Sequence, residues 1–106
     1  MNPSVAIFAP VGRIDSSNAA SAEADILTKI QGDAPALIID LSRLDYLSSA
    51  GLRVLLVAAK TCRASQGKAV IQQAAPAVTE VLKLSGFDKI IPITASREEA
   101  LAALGR

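Results

Sequence analysis

Two adjacent serines, Ser48 and Ser49, are the side chains of this sequence whose type and position best fit a chemical role. They stand between a short apolar segment and the longest helical apolar pattern, so they are predicted to open a helix. Either hydroxyl could cap that helix by accepting a backbone N–H, which contributes about 1 kcal/mol. Alternatively, one of them could carry a phosphate, because the free N–H groups and the helix dipole favour an anion there.

A phosphate at this turn would act on binding and leave the fold standing. It adds a charge of about −1.5 to −2, together with bulk, to any partner surface centred on the turn. The helix predicted from about Ala50 to Ser65 supports such a surface, because it is apolar around much of its circumference. Its core stripe is Leu52, Leu55, Leu56, Ala59 and Cys62, and further apolar residues are Val54, Val57 and Ala58, interrupted by Arg53, Lys60 and Arg63. Such a helix is either packed on two sides or presents an apolar patch to another protein.

The composition excludes several other classes of function. The absence of histidine removes the usual nucleophilic triads and the histidine-ligated metal sites. The six glycines stand alone in the sequence, so neither of the glycine-rich nucleotide-binding motifs is present. A net charge of +1 and three aromatic residues give no basic footprint or stacking platform for nucleic acid. We therefore expect no metal, no cofactor and no nucleic acid.

An enzyme built from this sequence would depend on carboxylates alone. Asp15, Asp40 and Asp45 are the candidates near the predicted serine turn. Ordinary solvated positions, at a strand end and in a loop, explain Asp40 and Asp45. No catalytic residue and no enzymatic activity are expected.

The sequence also bears on the compartment. Its single cysteine, Cys62, cannot form an internal disulfide, which suits a reducing compartment. Residues 1–10 lack the basic and apolar segments of a signal peptide, and no window of about 18 apolar residues is present. The expectation is a cytoplasmic protein with no direct membrane insertion.

The elements that must position these side chains alternate along the chain. Strands are predicted at residues 5–11, 36–41, 44–47, around 69–71 and 90–94. Helices are predicted to begin after the capping residues 16–18, at about Ala50, at Pro76 and after Ser96, and Gly32 is predicted to end the first of them. This order predicts a single α/β domain over residues 1–106, with a mostly parallel or mixed sheet of four to five strands and about four helices.

Three segments of the sequence resemble one known family. The segment DLSxLxYLSSAGLRVLL, which begins at Asp40, is similar to the central signature of the STAS domains, the anti-sigma factor antagonists. The segment from Gly12 to Asp15 resembles the family's early G-x-[LIV]-D element, and residues 76–91 resemble its later segment. The resemblance covers nearly the whole chain and implies a single STAS-like domain.

The resemblance implies a partner-switching protein with no active site of its own. In that family the unphosphorylated antagonist binds an anti-sigma factor, a serine kinase with a histidine-kinase-like ATPase fold, and so releases a sigma factor or another client. The kinase phosphorylates the antagonist and ends the association, and a PP2C-type phosphatase restores it. By position, the phosphorylated residue is Ser49, and the expected partner-binding residues are Asp15, Ser48, Ser49, Ala50, Gly51, Arg53, Val54 and Val57.

Some alternatives remain open at the level of sequence. Many family members have Asp before the acceptor serine and Ser or Thr after it, whereas this chain has Ser48 and Ala50, so Ser48 competes with Ser49 as the modified residue. Asp15 matches an acidic position near the family's switch surface, and it also fits an ordinary turn residue. The whole domain could instead be a STAS subunit of a membrane-associated ABC transport complex, where the serine need not be modified.

Overall fold

Strands and helices alternate along the chain, as the sequence pattern predicts. The structure, a computed structural model, describes residues 5–106, so residues 1–4 of the predicted domain lie outside the described residues. The strands are β1 (Val5–Phe8), β2 (Gly12–Ile14), β3 (Ala36–Asp40), β4 (Leu44–Leu47), β5 (Lys68–Gln72) and β6 (Ile93–Thr94). The α-helices are α1 (Ala19–Thr28), α2 (Ser49–Ala64), α3 (Pro76–Leu84) and α4 (Arg97–Ala103), and a short 3-10 helix occupies Phe87–Lys89.

The strands form two parallel sheets. The larger sheet has the order β1-β3-β5-β6, and β2 pairs with β4 in a separate sheet of two strands. In the centre of the larger sheet, β3 and β5 pair in continuous register from Ala36 opposite Lys68 to Asp40 opposite Gln72. Parallel neighbours require crossover connections, and the helices between successive strands supply them. The predicted α/β class with a parallel sheet is confirmed.

Helices cover both faces of the larger sheet. Successive strand residues point to opposite faces, so Leu37 and Ile39 join one core while Ile38 joins another. The larger core also includes buried residues of α1, α2 and α3, and the smaller core is closed by Ala100 of α4. This two-sided burial explains why β3 is a continuous apolar run in the sequence.

The central helix α2 is packed on two sides. It contacts α1 on one side and strands of both sheets on the other. Leu55, Ala59 and Cys62 of the predicted stripe are buried, but so are Val54, with 1% of its surface exposed, and Ala58. The side chain of Val54, predicted to contact a partner, thus lies inside the domain core.

Several element boundaries also differ from the predictions. The first predicted strand ends at Phe8, and residues Gly12–Ile14, for which no strand is predicted, form the separate strand β2. Helix α1 ends at Thr28, where i→i+3 hydrogen bonds tighten its last turn, so Gly32 lies beyond its end. The last strand is shortened to β6, which is an edge strand, as the preceding Pro92 predicts.

Helix α4 is held on its face of the sheet by a polar cluster. Its predicted N-cap is confirmed, since the Ser96 hydroxyl accepts the Glu99 N–H at 3.1 Å. Arg97 donates to the side-chain oxygen of the buried Gln72 and lies 3.5 Å from Asp40 Oδ2. Asp40, one of the candidate enzymatic carboxylates, therefore has a structural partner on α4.

A glycine at position 67 lets the chain pass close to the preceding loop. A Cβ on Gly67 would lie 2.1 Å from the Pro35 carbonyl oxygen, at a point where Lys68 N–H donates to that same oxygen at 2.8 Å. Since backbone atoms block the added methyl, we expect Gly67→Ala to lower the free energy of unfolding by about 1–3 kcal/mol or more, measured by urea denaturation. Gly32→Ala is the matched control, because it meets no atom within 4 Å and is strained only by its positive φ of 77°. Equal losses in the two variants would contradict the steric explanation.

The thiol of Cys62 is fully buried, and burial raises its pKa. We expect it to react with a disulfide reagent only after unfolding, since the reactive thiolate is disfavoured and inaccessible in the fold. The measurement is thiol titration of native and guanidinium-unfolded protein at pH 8. Ala102→Cys, at an exposed position of α4, supplies a second thiol that should react at once in the native protein. Two thiols that react at the same rate in this variant would show that α2 is not packed as described.

Candidate functional site

Pairing of β2 with β4 brings two distant segments of the sequence together. Ile14 pairs with Leu47, and the Ser48 N–H donates to the Ile14 carbonyl at 3.0 Å. Since the two strands are parallel, the residues that follow them, Asp15 and Ser48, emerge at the same edge. The predicted Gly12–Asp15 element and the predicted serine turn therefore form one surface.

Gly51 allows α2 to begin directly against β2. A Cβ at this position would lie 3.0 Å from the Ile14 carbonyl oxygen and 2.5 Å from Leu47 Cδ1. Gly51, one of the residues predicted to bind a partner, is buried in this fold. Its absent side chain keeps the start of the helix close to β2.

The structure assigns different positions to the two serines. Ser48 is the N-cap of α2, with extended backbone, and its hydroxyl accepts the Gly51 N–H at 3.3 Å. Ser49 is the first residue of the helix and is exposed, whereas Ser48 is half-buried. The capping role left open by the sequence thus belongs to Ser48, and the Ser49 hydroxyl is presented at the surface.

Asp15 is a fixed negative charge beside this turn. Its Oδ1 accepts the Ser17 hydroxyl at 2.5 Å and the Ser17 N–H at 2.9 Å, and its Oδ2 lies 2.7 Å from Arg13 Nε. The Ser17 hydrogen bonds, aided by the charge of Arg13, hold the pKa of the Asp15 carboxyl below its usual value. Asp15 also has the role of a turn residue, because its N–H donates to the Asn18 side chain at 2.9 Å.

Arg13 and Tyr46 belong to the same surface, although the sequence analysis did not single them out. Strand register places them opposite each other, and the Arg13 guanidinium carbon lies 5.2 Å from the centroid of the Tyr46 ring. Tyr46 is half-exposed, so its ring is accessible at this surface. The sequence indicates this exposure, because successive residues of a strand point to opposite sides. Tyr46 directly precedes the buried Leu47, so the two side chains lie on opposite sides of β4.

The remaining predicted residues divide by exposure. Arg53 is exposed, Ala50 and Val57 are half-buried, and Asp45 is exposed on β4. Asp40 lies 3.5 Å from Arg97 of α4, so this candidate carboxylate has a partner outside the serine turn. Across residues 5–106, possible metal-ligating side chains do not gather in groups of three or more. Within the same residues, the helices are too short or too polar to span a membrane.

Comparison with known proteins identifies relatives over nearly the whole chain. The family model for the STAS domain matches residues 1–100. A protein of Bordetella bronchiseptica, "Putative anti-sigma factor antagonist BtrV", is 45% identical over 92 residues, which cover 87% of this chain and 79% of that protein.

Solved structures show the same fold. An anti-sigma factor antagonist from Mycobacterium paratuberculosis is 29% identical, with a TM-score of 0.81 over 96% of this chain and 86% of that chain. The STAS domain of a SulP transporter from Vibrio cholerae has a TM-score of 0.73 at 21% identity, over 97% of this chain and 82% of that one. This second likeness concerns the fold alone. The family match and the 45% identical relative show that this chain belongs to the STAS domain family.

Proposed function

We propose that this protein is an anti-sigma factor antagonist whose binding to a serine-kinase anti-sigma factor ends when Ser49 is phosphorylated. The observation that carries this proposal is the exposed Ser49 hydroxyl at the first turn of α2, next to a neighbouring serine that is already used as the cap. The fold by itself does not separate this function from others, because a transporter domain shares it. The proposal therefore rests on the site geometry and on the similarity to named antagonists.

The phosphoryl transfer requires little chemistry from this chain. The Ser49 oxygen attacks the γ-phosphorus of ATP held by the kinase, a new O–P bond forms, and the bond to the ADP oxygen breaks. The hydroxyl proton passes to a base of the kinase. What the substrate must supply is an accessible hydroxyl, and Ser49 is exposed. Because the kinase uses ATP, we place this switch in the cytoplasm.

The phosphorylated state should keep the fold and change the surface. The first turn of a helix has free N–H groups and a favourable dipole, so a dianion on Ser49 is stabilised there. Ser48 keeps its cap to Gly51, since phosphorylation of Ser49 does not alter the Ser48 hydroxyl. The new charge joins that of Asp15 on one surface, and a partner fitted to the neutral hydroxyl then meets repulsion and bulk. A PP2C-type phosphatase would reverse the step by transferring the phosphoryl group to water.

Ser49→Ala should bind the kinase permanently, and Ser49→Asp should bind it about tenfold or more weakly, because the carboxylate places charge in the interface. The measurement is affinity capture with wild type and both variants, followed by mass spectrometry and titration of the purified kinase. Ala102→Asp is the matched control, since it adds the same charge on exposed α4, on the opposite face of the sheet. Tight binding retained after stoichiometric phosphorylation of Ser49 would refute the proposal. Recovery of an ABC-type ATPase and no serine kinase would favour a subunit of a transport complex.

The two serines should respond differently to alanine. Ser48→Ala should lower the free energy of unfolding by about 1 kcal/mol, because the cap to Gly51 is lost, while the phosphate still goes to Ser49. Ser49→Ala should change stability by less than about 0.5 kcal/mol and abolish phosphorylation. Urea denaturation gives the stabilities, and peptide mapping after incubation with kinase and ATP gives the site. Phosphate on Ser48 in the wild-type chain would show that the wrong serine was assigned.

A further inference from the structure

The outward face of α2 carries a row of positive charges in line with Ser49. Arg53, Lys60 and Arg63 are all exposed, and their spacing from Ser49 keeps them on one side of a helix with 3.6 residues per turn. The helix contains no Asp or Glu from Ser49 to Ala64. The whole chain has a net charge of only +1, so this concentration of positive charge is local to one face.

These cations have no ion-pair partner within the described part of the chain. The two salt bridges among residues 5–106 join Arg13 to Asp15 and Arg97 to Asp40, so neither involves α2. The acidic residues on the neighbouring elements α1 and β4 are Glu23, Asp25 and Asp45, and none of them forms a salt bridge with α2. The positive face is thus left for an external anion or acidic surface.

Apolar side chains lie in the middle of the same face. Leu56 and Val57 fall between Arg53 and Lys60 in sequence and are half-buried, so part of each is accessible. An apolar centre with charged residues at its rim, arginine among them, is the usual composition of a protein–protein interface. We call Arg53, Leu56, Val57, Lys60 and Arg63 the α2 basic face.

We propose that the α2 basic face docks on an acidic surface of the kinase partner, an inference that rests on the proposed function. The arrangement explains how a phosphate at Ser49 would act on one end of this face. Arg53 follows Ser49 by four positions, and at that spacing on a helix an anion and a cation are neighbours, most favourably when the anion comes first. The phosphate therefore reduces the positive charge of the face at its amino-terminal end and repels the acidic partner surface.

The test is titration of the wild-type chain with the purified kinase recovered by Ser49→Ala, at low and high salt. Each of the charge reversals Arg53→Glu, Lys60→Glu and Arg63→Glu should raise Kd by up to about tenfold. The triple variant should raise Kd further. Wild-type Kd should also rise with salt, because opposite charges at an exposed interface are screened. Lys89→Glu, an equal charge change at an exposed position of the 3-10 helix, should leave Kd unchanged. Circular dichroism and urea denaturation confirm that each variant is folded.

The possible failures of the two proposals can be told apart. A folded triple variant that binds as tightly as wild type, while Ser49→Asp still prevents binding, would overturn the α2 basic face and leave the phosphorylation switch intact. Charge reversals that tighten binding would show that the partner surface is basic and would also overturn the inference. A kinase that binds Ser49→Asp as well as wild type, or no kinase at all, would overturn the proposed function together with this inference.

Discussion

The site depends on the pairing of two short strands, β2 and β4. The hydrogen bond from Ser48 N–H to the Ile14 carbonyl sets where β4 ends and where α2 begins. Without this pairing, the Gly12–Asp15 segment and the serine turn would remain separate loops. Gly51 belongs to the same constraint, because any side chain there would push the first turn of α2 away from Ile14. The surface around Ser49 is therefore a consequence of backbone packing as much as of the side chains that it displays.

Two adjacent hydroxyls have different surroundings in this arrangement. One is half-buried and completes the backbone hydrogen bonding of a helix end, whereas the other points to solvent from the first turn. Separating these roles lets a surface group change its charge while the cap stays in place. A helix start is also one of the few positions where a dianion is favoured by the backbone itself. Under the proposed function, phosphorylation of Ser49 would therefore act on binding and spare the fold.

Helix α2 has one side in the core and one side at the surface. Its inner side, with Val54, Leu55 and Cys62, is fully enclosed, and its outer side carries arginine and lysine. A helix anchored in this way presents its outer side chains on a rigid support, so a partner can bind them without ordering the backbone. Such a surface suits a protein that acts by being bound.

Sequence alone determined the α/β alternation, the buried run of β3, the start of α3 at Pro76 and the edge position of β6. These features follow from local properties, namely apolar periodicity, turn residues and the fixed backbone of proline. It also placed two serines at the start of α2. It did not reveal β2, because a strand of three residues is stabilised by its partner β4 and leaves almost no periodic signal.

The burial of Val54 could not be read from local sequence, since it depends on α1 and the sheet closing over both sides of α2. The tertiary structure likewise decided which serine is the cap. If α2 began one residue later, Ser49 would take the N-cap position that Ser48 now holds. Here the contact of α2 with β2 determines where the helix begins.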